Sequence, residues 1–174
     1  MHWDPASNGP PRTEFLLAEM TSHTRELLMS GRRGEAAALF GFAVQQWPDD
    51  STAHNNLGFC LILDDPARAL SHLTTAARQG YEPLVINIYN RVCCHVGLRQ
   101  PRAALEVAEE FWQTRPPDWN DPGSGTLWLR SGETWELALE ADARRALLDL
   151  LLDTARAQGW HDDEERWSAR LARS

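Results

Sequence analysis

Three cysteines and six histidines are the residues best equipped for chemistry in this chain. Cys93, Cys94 and His95 are consecutive and invite a metal-site reading. Zinc sites need paired ligands such as C-x2–4-C with a second pair at a suitable distance. Neighbouring residues on one helix point about 100° apart, so these three do not converge on one ion. No metal and no cofactor is predicted. A nucleophilic site needs a Cys–His or Ser–His–Asp group converging from separate positions. Cys60 with His54 or His95, reaching across neighbouring helices, is the arrangement the sequence offers. Cysteine is equally a small core residue. There is no glycine-rich phosphate loop, no H-E-x-x-H and no G-x-S-x-G. The acids at Asp49-Asp50, Asp64-Asp65 and Asp162 to Glu165 sit in turns or at helix starts, where carboxylates cap backbone N–H groups. The expectation is therefore no catalytic residue. An enzyme using Cys60 or a nearby histidine stays as the alternative from a different class.

The elements that would carry these residues recur at a fixed interval. Ala36, Phe40 and Ala43 follow Gly31 to Gly34 at spacings of four and three, then comes Trp47-Pro48. Ala69, Leu73 and Ala76 repeat the spacing before Pro83, and Ala104, Ala108 and Phe111 form a third copy before Pro116. The leading alanines lie at 36, 69 and 104, a mean interval of 34. With Asn56-Leu57-Gly58 in the middle copy, this pattern resembles the tetratricopeptide repeat (TPR), a helix–turn–helix unit of about 34 residues. The first copy has Thr24 and the third Val92 where that glycine would fall. The resemblance implies an all-α, right-handed solenoid of helix pairs, with repeats at about 17–50, 51–84 and 85–118. One such pair cannot bury its apolar face alone, so stacked neighbours and a polar cap are required.

In that family the first helices of successive repeats line a concave groove for a peptide or helix of another protein. The resemblance places Arg25, Asn55, Asn56, Phe59, Ile62, Tyr89, Asn90 and Cys93 on or near it. Asn56 and Asn90 would hold peptide backbone, since an amide offers donor and acceptor together. Phe59, Ile62 and Tyr89 would form an apolar floor for alternate side chains of a strand or one face of a helix. The cationic pair that family members use on acidic tails is not evident. The chain has 17 arginines and no lysine, and Arg25 is the cation near the groove. An apolar or amphipathic segment is therefore the predicted ligand, with the chain as adaptor or chaperone. An immunity or regulatory subunit masking a basic effector is the alternative within the binding class.

The remaining third is organised differently. Residues 1–10 are rich in Pro, Gly and polar groups and read as a flexible tail. Residues 119–135 read as a loop or small irregular insertion, with a hairpin around Ser131-Gly132 as one outcome. From Glu136 the pattern reads as helical, Gly159 stops it, and a last helix follows from Trp160. Residues 136–174 would thus be a helical pair capping the array. Six of the eight tryptophans lie from Trp112 onward, either wedging that cap or, at Trp119 and Trp128, anchoring a partner.

Charge narrows the partners. Net charge is −8 and arginines are interspersed with acids, against the basic stripe a nucleic-acid binder needs. The chain has no run of about 18 apolar residues, so no membrane span is predicted. Neither a signal-peptide pattern nor a disulfide framework is present, which fits a cytoplasmic protein. Self-association is left open.

Overall fold

A computed structural model describes residues 12–116, 119, 121 and 123–173. The predicted tail at 1–10 lies outside them. The described residues form eight helices and two strands: α1 (Arg12–Met29), α2 (Arg33–Gln46), α3 (Ser51–Leu61), α4 (Pro66–Arg78), α5 (Leu84–Gly97), α6 (Pro101–Gln113), β1 (Gly125–Ser131), β2 (Thr134–Ala141), α7 (Ala143–Gln158) and α8 (His161–Leu171).

The helix ends follow local chemistry. Asp50 accepts from the Ala53 N–H at 2.8 Å, Asp65 from Arg68 at 3.1 Å and Asp142 from Arg145 at 2.8 Å. Each carboxylate thus satisfies a donor that the first helical turn leaves free. Pro66 and Pro101 sit at helix starts, where a missing N–H costs nothing. Gly159, at φ 67°, ends α7 in the left-handed conformation.

From α1 to α6 each helix packs on the next. The small and bulky residues at the recurrent spacings are the contacts: Ala36, Phe40, Ala43, Ala69, Leu73, Ala76, Ala104, Ala108 and Phe111 are all buried. Gly58 lets α3 lie directly on α4. A Cβ there would fall 2.6 Å from Leu73 Cγ and 3.1 Å from the Ala69 carbonyl oxygen.

After α6 the all-α expectation fails. The chain is mostly helical, but β1 and β2 pair as an antiparallel hairpin. The helix predicted from Glu136 begins only at Ala143, because Thr134 to Ala141 is strand. Glu, Leu and Ala in this stretch favour a helix in isolation. Cross-strand pairing of Trp128 with Leu137 and Arg130 with Trp135 overrides that preference. Gly132, at φ 63°, takes the left-handed conformation in the two-residue turn between the strands. The register shifts between Gly125 and Leu127, opposite Glu140 at φ 54°, which marks a bulge.

Beyond the hairpin, α7 packs on α5, α6 and α8. Arg170 on α8 makes a two-pronged bond to Glu109 on α6, at 2.7 and 3.0 Å. Arg102 reaches Asp163 at 3.0 Å. Between these ion pairs Trp167 is fully buried and meets Trp112 edge-on, with ring centroids 6.1 Å apart. Trp119 is half-buried and packs edge-on against Phe111 and Trp112. Trp128 is buried too. Both tryptophans singled out as partner anchors therefore turn inward.

Candidate functional site

A cleft of about 160 Å³ opens where α1, α3 and α5 meet the start of β1. Its apolar walls are Leu28, Phe40, Phe59, Tyr81 and Ile86, and its polar lining is Thr21, Thr24, Asn55, Asn56, Asn90 and Thr126. Arg25 also lines it, is exposed, and has no ion pair among the described residues.

The asparagines differ in what they do. Asn56 donates from Nδ2 to Thr21 Oγ1 at 3.1 Å, joining α3 to α1. Thr21 in turn donates to the Leu17 carbonyl at 2.7 Å. Asn87 Nδ2 donates both to Asn55 Oδ1 at 3.1 Å and to the Leu73 carbonyl at 2.8 Å. That buried network ties α3, α4 and α5 together. Asn90 is 1% exposed, and neither its amide nitrogen nor its amide oxygen has a partner among the described residues. The buried Thr24 hydroxyl is likewise unpaired. Buried polar groups are normally bonded, so two unpaired ones lining one cleft mark it out.

The predicted partner-contacting residues divide between two places. Arg25, Asn55, Asn56, Asn90 and Phe59 all line the cleft. Ile62, Tyr89 and Cys93 do not line it, and all are buried. The expectation of an open apolar floor fails there, and at Tyr89 and Phe59 the hairpin supplies the cover. The Trp128 ring stacks on Phe59, with centroids 6.0 Å apart and planes 25° apart. Trp128 donates from Nε1 to the Phe59 carbonyl at 3.3 Å, and the Tyr89 hydroxyl donates to the Trp128 carbonyl at 2.6 Å. Burial pushes the Tyr89 phenol far up, so it remains a donor at any physiological pH.

The descent into β1 favours glycine, most strictly at Gly123, whose φ is 58°. A Cβ on Gly125 would fall 2.8 Å from Ile86 Cδ1, and one on Gly123 would fall 2.2 Å from Val85 Cγ1. Sequence reasoning missed Tyr81, Ile86, Gly125 and Thr126 in the lining. It read Thr24 only as a substitute for glycine, although a hydroxyl one turn before Leu28 on an apolar face was a usable signal.

The arrangement bears directly on the cysteine alternative. Burial holds the Cys60 thiol up at about 12, and Cys94 likewise, while Cys93 is pushed well above the ordinary thiol range. A thiol in that state is a poor nucleophile. His54 points elsewhere, with Nε2 2.9 Å from the Pro48 carbonyl and Nδ1 3.0 Å from His72 Nδ1. His95 contacts Gln100 at 3.0 Å. Among the described residues no group of three or more His, Cys, Asp or Glu is placed to hold a metal ion.

No protein-family model, curated protein or solved structure matches the chain. Its site is therefore read from its own residues. No helix among those described is long and apolar enough to cross a membrane.

Proposed function

We propose that this chain is a protein-interaction module of the TPR kind, an adaptor or chaperone that holds an extended segment of another protein in the α1–α3–α5 cleft. The observation that carries the reading is Asn90, which lines the cleft and whose buried amide has neither its donor nor its acceptor paired among the described residues. A bound segment carries matching carbonyl and N–H groups, in its backbone or in a side-chain amide. Asn56 on α3 and Arg25 on α1 extend the polar edge toward the surface.

The repeat reading is supported by the burial of Ala36, Ala69 and Ala104 and by the neighbour-on-neighbour order of α1 to α6. A net charge of −8 disfavours nucleic acid as the ligand. The hairpin alters the sequence-based expectation in one respect. With Tyr89 and Cys93 buried and Phe59 stacked under Trp128, the apolar walls left for a segment are Leu28, Phe59, Tyr81 and Ile86.

The test is selection of a random twelve-residue peptide display library on the immobilised full-length chain. Enriched peptides should bind wild type and lose at least about tenfold in affinity on Arg25→Glu combined with Asn90→Leu, the loss expected when a few hot-spot contacts are removed. No enrichment, or peptides indifferent to both substitutions in a folded protein, would defeat the proposal.

A further inference from the structure

The dimensions and chemistry of the cleft go further than a generic segment. Resting on the reading above, we propose that it seats a side-chain carboxamide, a glutamine or asparagine of the bound segment, as the anchor. Size is the first argument. A cavity of roughly 150 Å³ accommodates one benzene-sized group, so about 160 Å³ holds one side chain and not a helix. Phe40, which also lines the cleft, is fully buried.

The second argument is the pattern of unpaired atoms. Asn90 presents one donor and one acceptor side by side, and that pair is the same whichever way its amide is turned. A carboxamide is the side chain that answers both at once. A carboxylate brings two acceptors and would set one against Asn90 Oδ1. An alkyl chain would fill the space and leave both Asn90 atoms unpaired, the costly outcome for buried polar groups. Thr24, whose hydroxyl is unpaired and buried, can donate to the incoming carbonyl or accept from its NH₂. Arg25, exposed and without an ion pair among the described residues, is left for a backbone carbonyl of the same segment.

The third argument is how the neighbours are held. Asn56 is engaged with Thr21, and Asn55 with Asn87, so the remaining amides around the cleft are already fixed in place. Asn90 alone among these four asparagines has both amide atoms unpaired. Recognition that depends on a buried hydrogen-bonding pair discriminates sharply against analogues lacking it.

The experiment uses the ¹⁵N-labelled full chain and three capped pentapeptides, acetyl-Ala-Ala-X-Ala-Ala-N-methylamide, with X as Gln, Glu or norleucine. Isovaleramide serves as a free carboxamide. The side-chain NH₂ signal of Asn90, assigned through Asn90→Leu, is the readout in wild type, and the backbone amide signals of the cleft residues are the readout in both proteins. The Gln peptide should shift it saturably and bind at least about tenfold tighter than the norleucine peptide, a factor set by leaving one buried amide unpaired. In Asn90→Leu that preference should vanish.

Equal binding of the Glu or norleucine peptide overturns the proposal, as does a Gln preference that survives in Asn90→Leu. Binding of isovaleramide without the Gln peptide overturns it in favour of a free small amide. If none of these probes reaches the cleft while displayed peptides still bind through Arg25 and Asn90, the carboxamide anchor falls and the interaction module stands. If displayed peptides fail as well, both fall.

Discussion

Four asparagines lie in or beside one cleft, and the structure gives them opposite thermodynamic roles. Asn87 bonds to Asn55 and to the Leu73 carbonyl from a fully buried position. Removing it strands Asn55 Oδ1 and takes a second bond from the Leu73 carbonyl, so Asn87→Leu should cost roughly 1–3 kcal/mol in urea unfolding. Asn90 is equally buried but has no partner among the described residues. Asn90→Leu, close in shape, should therefore stabilise the free protein by about 1 kcal/mol while removing ligand binding. A loss of stability of that size would mean Asn90 serves the fold instead. The cysteines give a second residue-scale test. With Cys60 and Cys94 held up at about 12 and burial pushing Cys93 well above the ordinary thiol range, almost no thiolate is populated at pH 8. An aromatic disulfide reagent should leave the native protein unlabelled over minutes and titrate three thiols in denaturant. Fast reaction of one thiol in the native state would reopen the nucleophile reading.

At the level of elements, the hairpin decides how much of the groove is available. Trp128 is its anchor, buried, stacked on Phe59 and bonded at both its indole nitrogen and its backbone carbonyl. Trp128→Ala should cost about 3–5 kcal/mol, as large-to-small changes of buried aromatics do. Trp128→Phe keeps most of the ring and loses the indole donor, and should cost nearer 1 kcal/mol. Thermal or urea unfolding of the two variants side by side checks the ratio. This element was also the least legible in the sequence. The alanines and Phe40, Leu73 and Phe111 announced their helices because a 3.6-residue period and a buried face are local facts. Asp50 and Asp65 announced their helix starts for the same reason. Trp135 to Ala141 carries helix-favouring residues, and only the strand beside it, held down by Trp128, makes it extended. The hairpin around Ser131-Gly132 was legible as one outcome, but a contact as distant as that of Trp128 with Phe59 leaves no period to read. The site inherited the same limit: Asn55, Asn56, Asn90 and Arg25 could be gathered from repeat phase, but the covering of Tyr89 and Cys93 could not. The α6–α8 clasp is a further element with a measurable consequence. Hydrogen bonding from Arg170 holds the Glu109 carboxyl below the usual carboxylate range. A carboxylate whose folded pKa is depressed contributes its stability above the unfolded value, and loses it as pH falls through the folded value. Glu109→Gln should thus cost about 1–2 kcal/mol at pH 7, with the gap to wild type closing as pH falls below about 4. A gap independent of pH would assign the loss to packing.

For the whole molecule, stability should be graded along the chain, because contacts run mostly between neighbours and then converge. The helix α5 touches α3, α4, α6, α7 and β1, and its residues from Val85 to Asn90 are all buried. By contrast α1 rests on α2 and only lightly on α3, and it leaves Phe15, Leu16 and Met29 largely exposed. Arrays built this way open from weakly held ends while the most connected unit stays closed. Native-state amide exchange should therefore be slowest in α5 and α3 and fastest in α1. The hairpin adds a test of its own, since Trp128 bridges Phe59 on α3 and Tyr89 on α5. In Trp128→Ala, exchange in α3 and α5 should accelerate together, while α6 and α8, clasped by Glu109 and Arg170, should keep their protection. If α1 proves as protected as α5, or if Trp128→Ala loosens every helix alike, the molecule unfolds as one cooperative block. The cleft would then have no yielding wall, and a ligand would have to fit the space between α1, α3 and α5 as it stands.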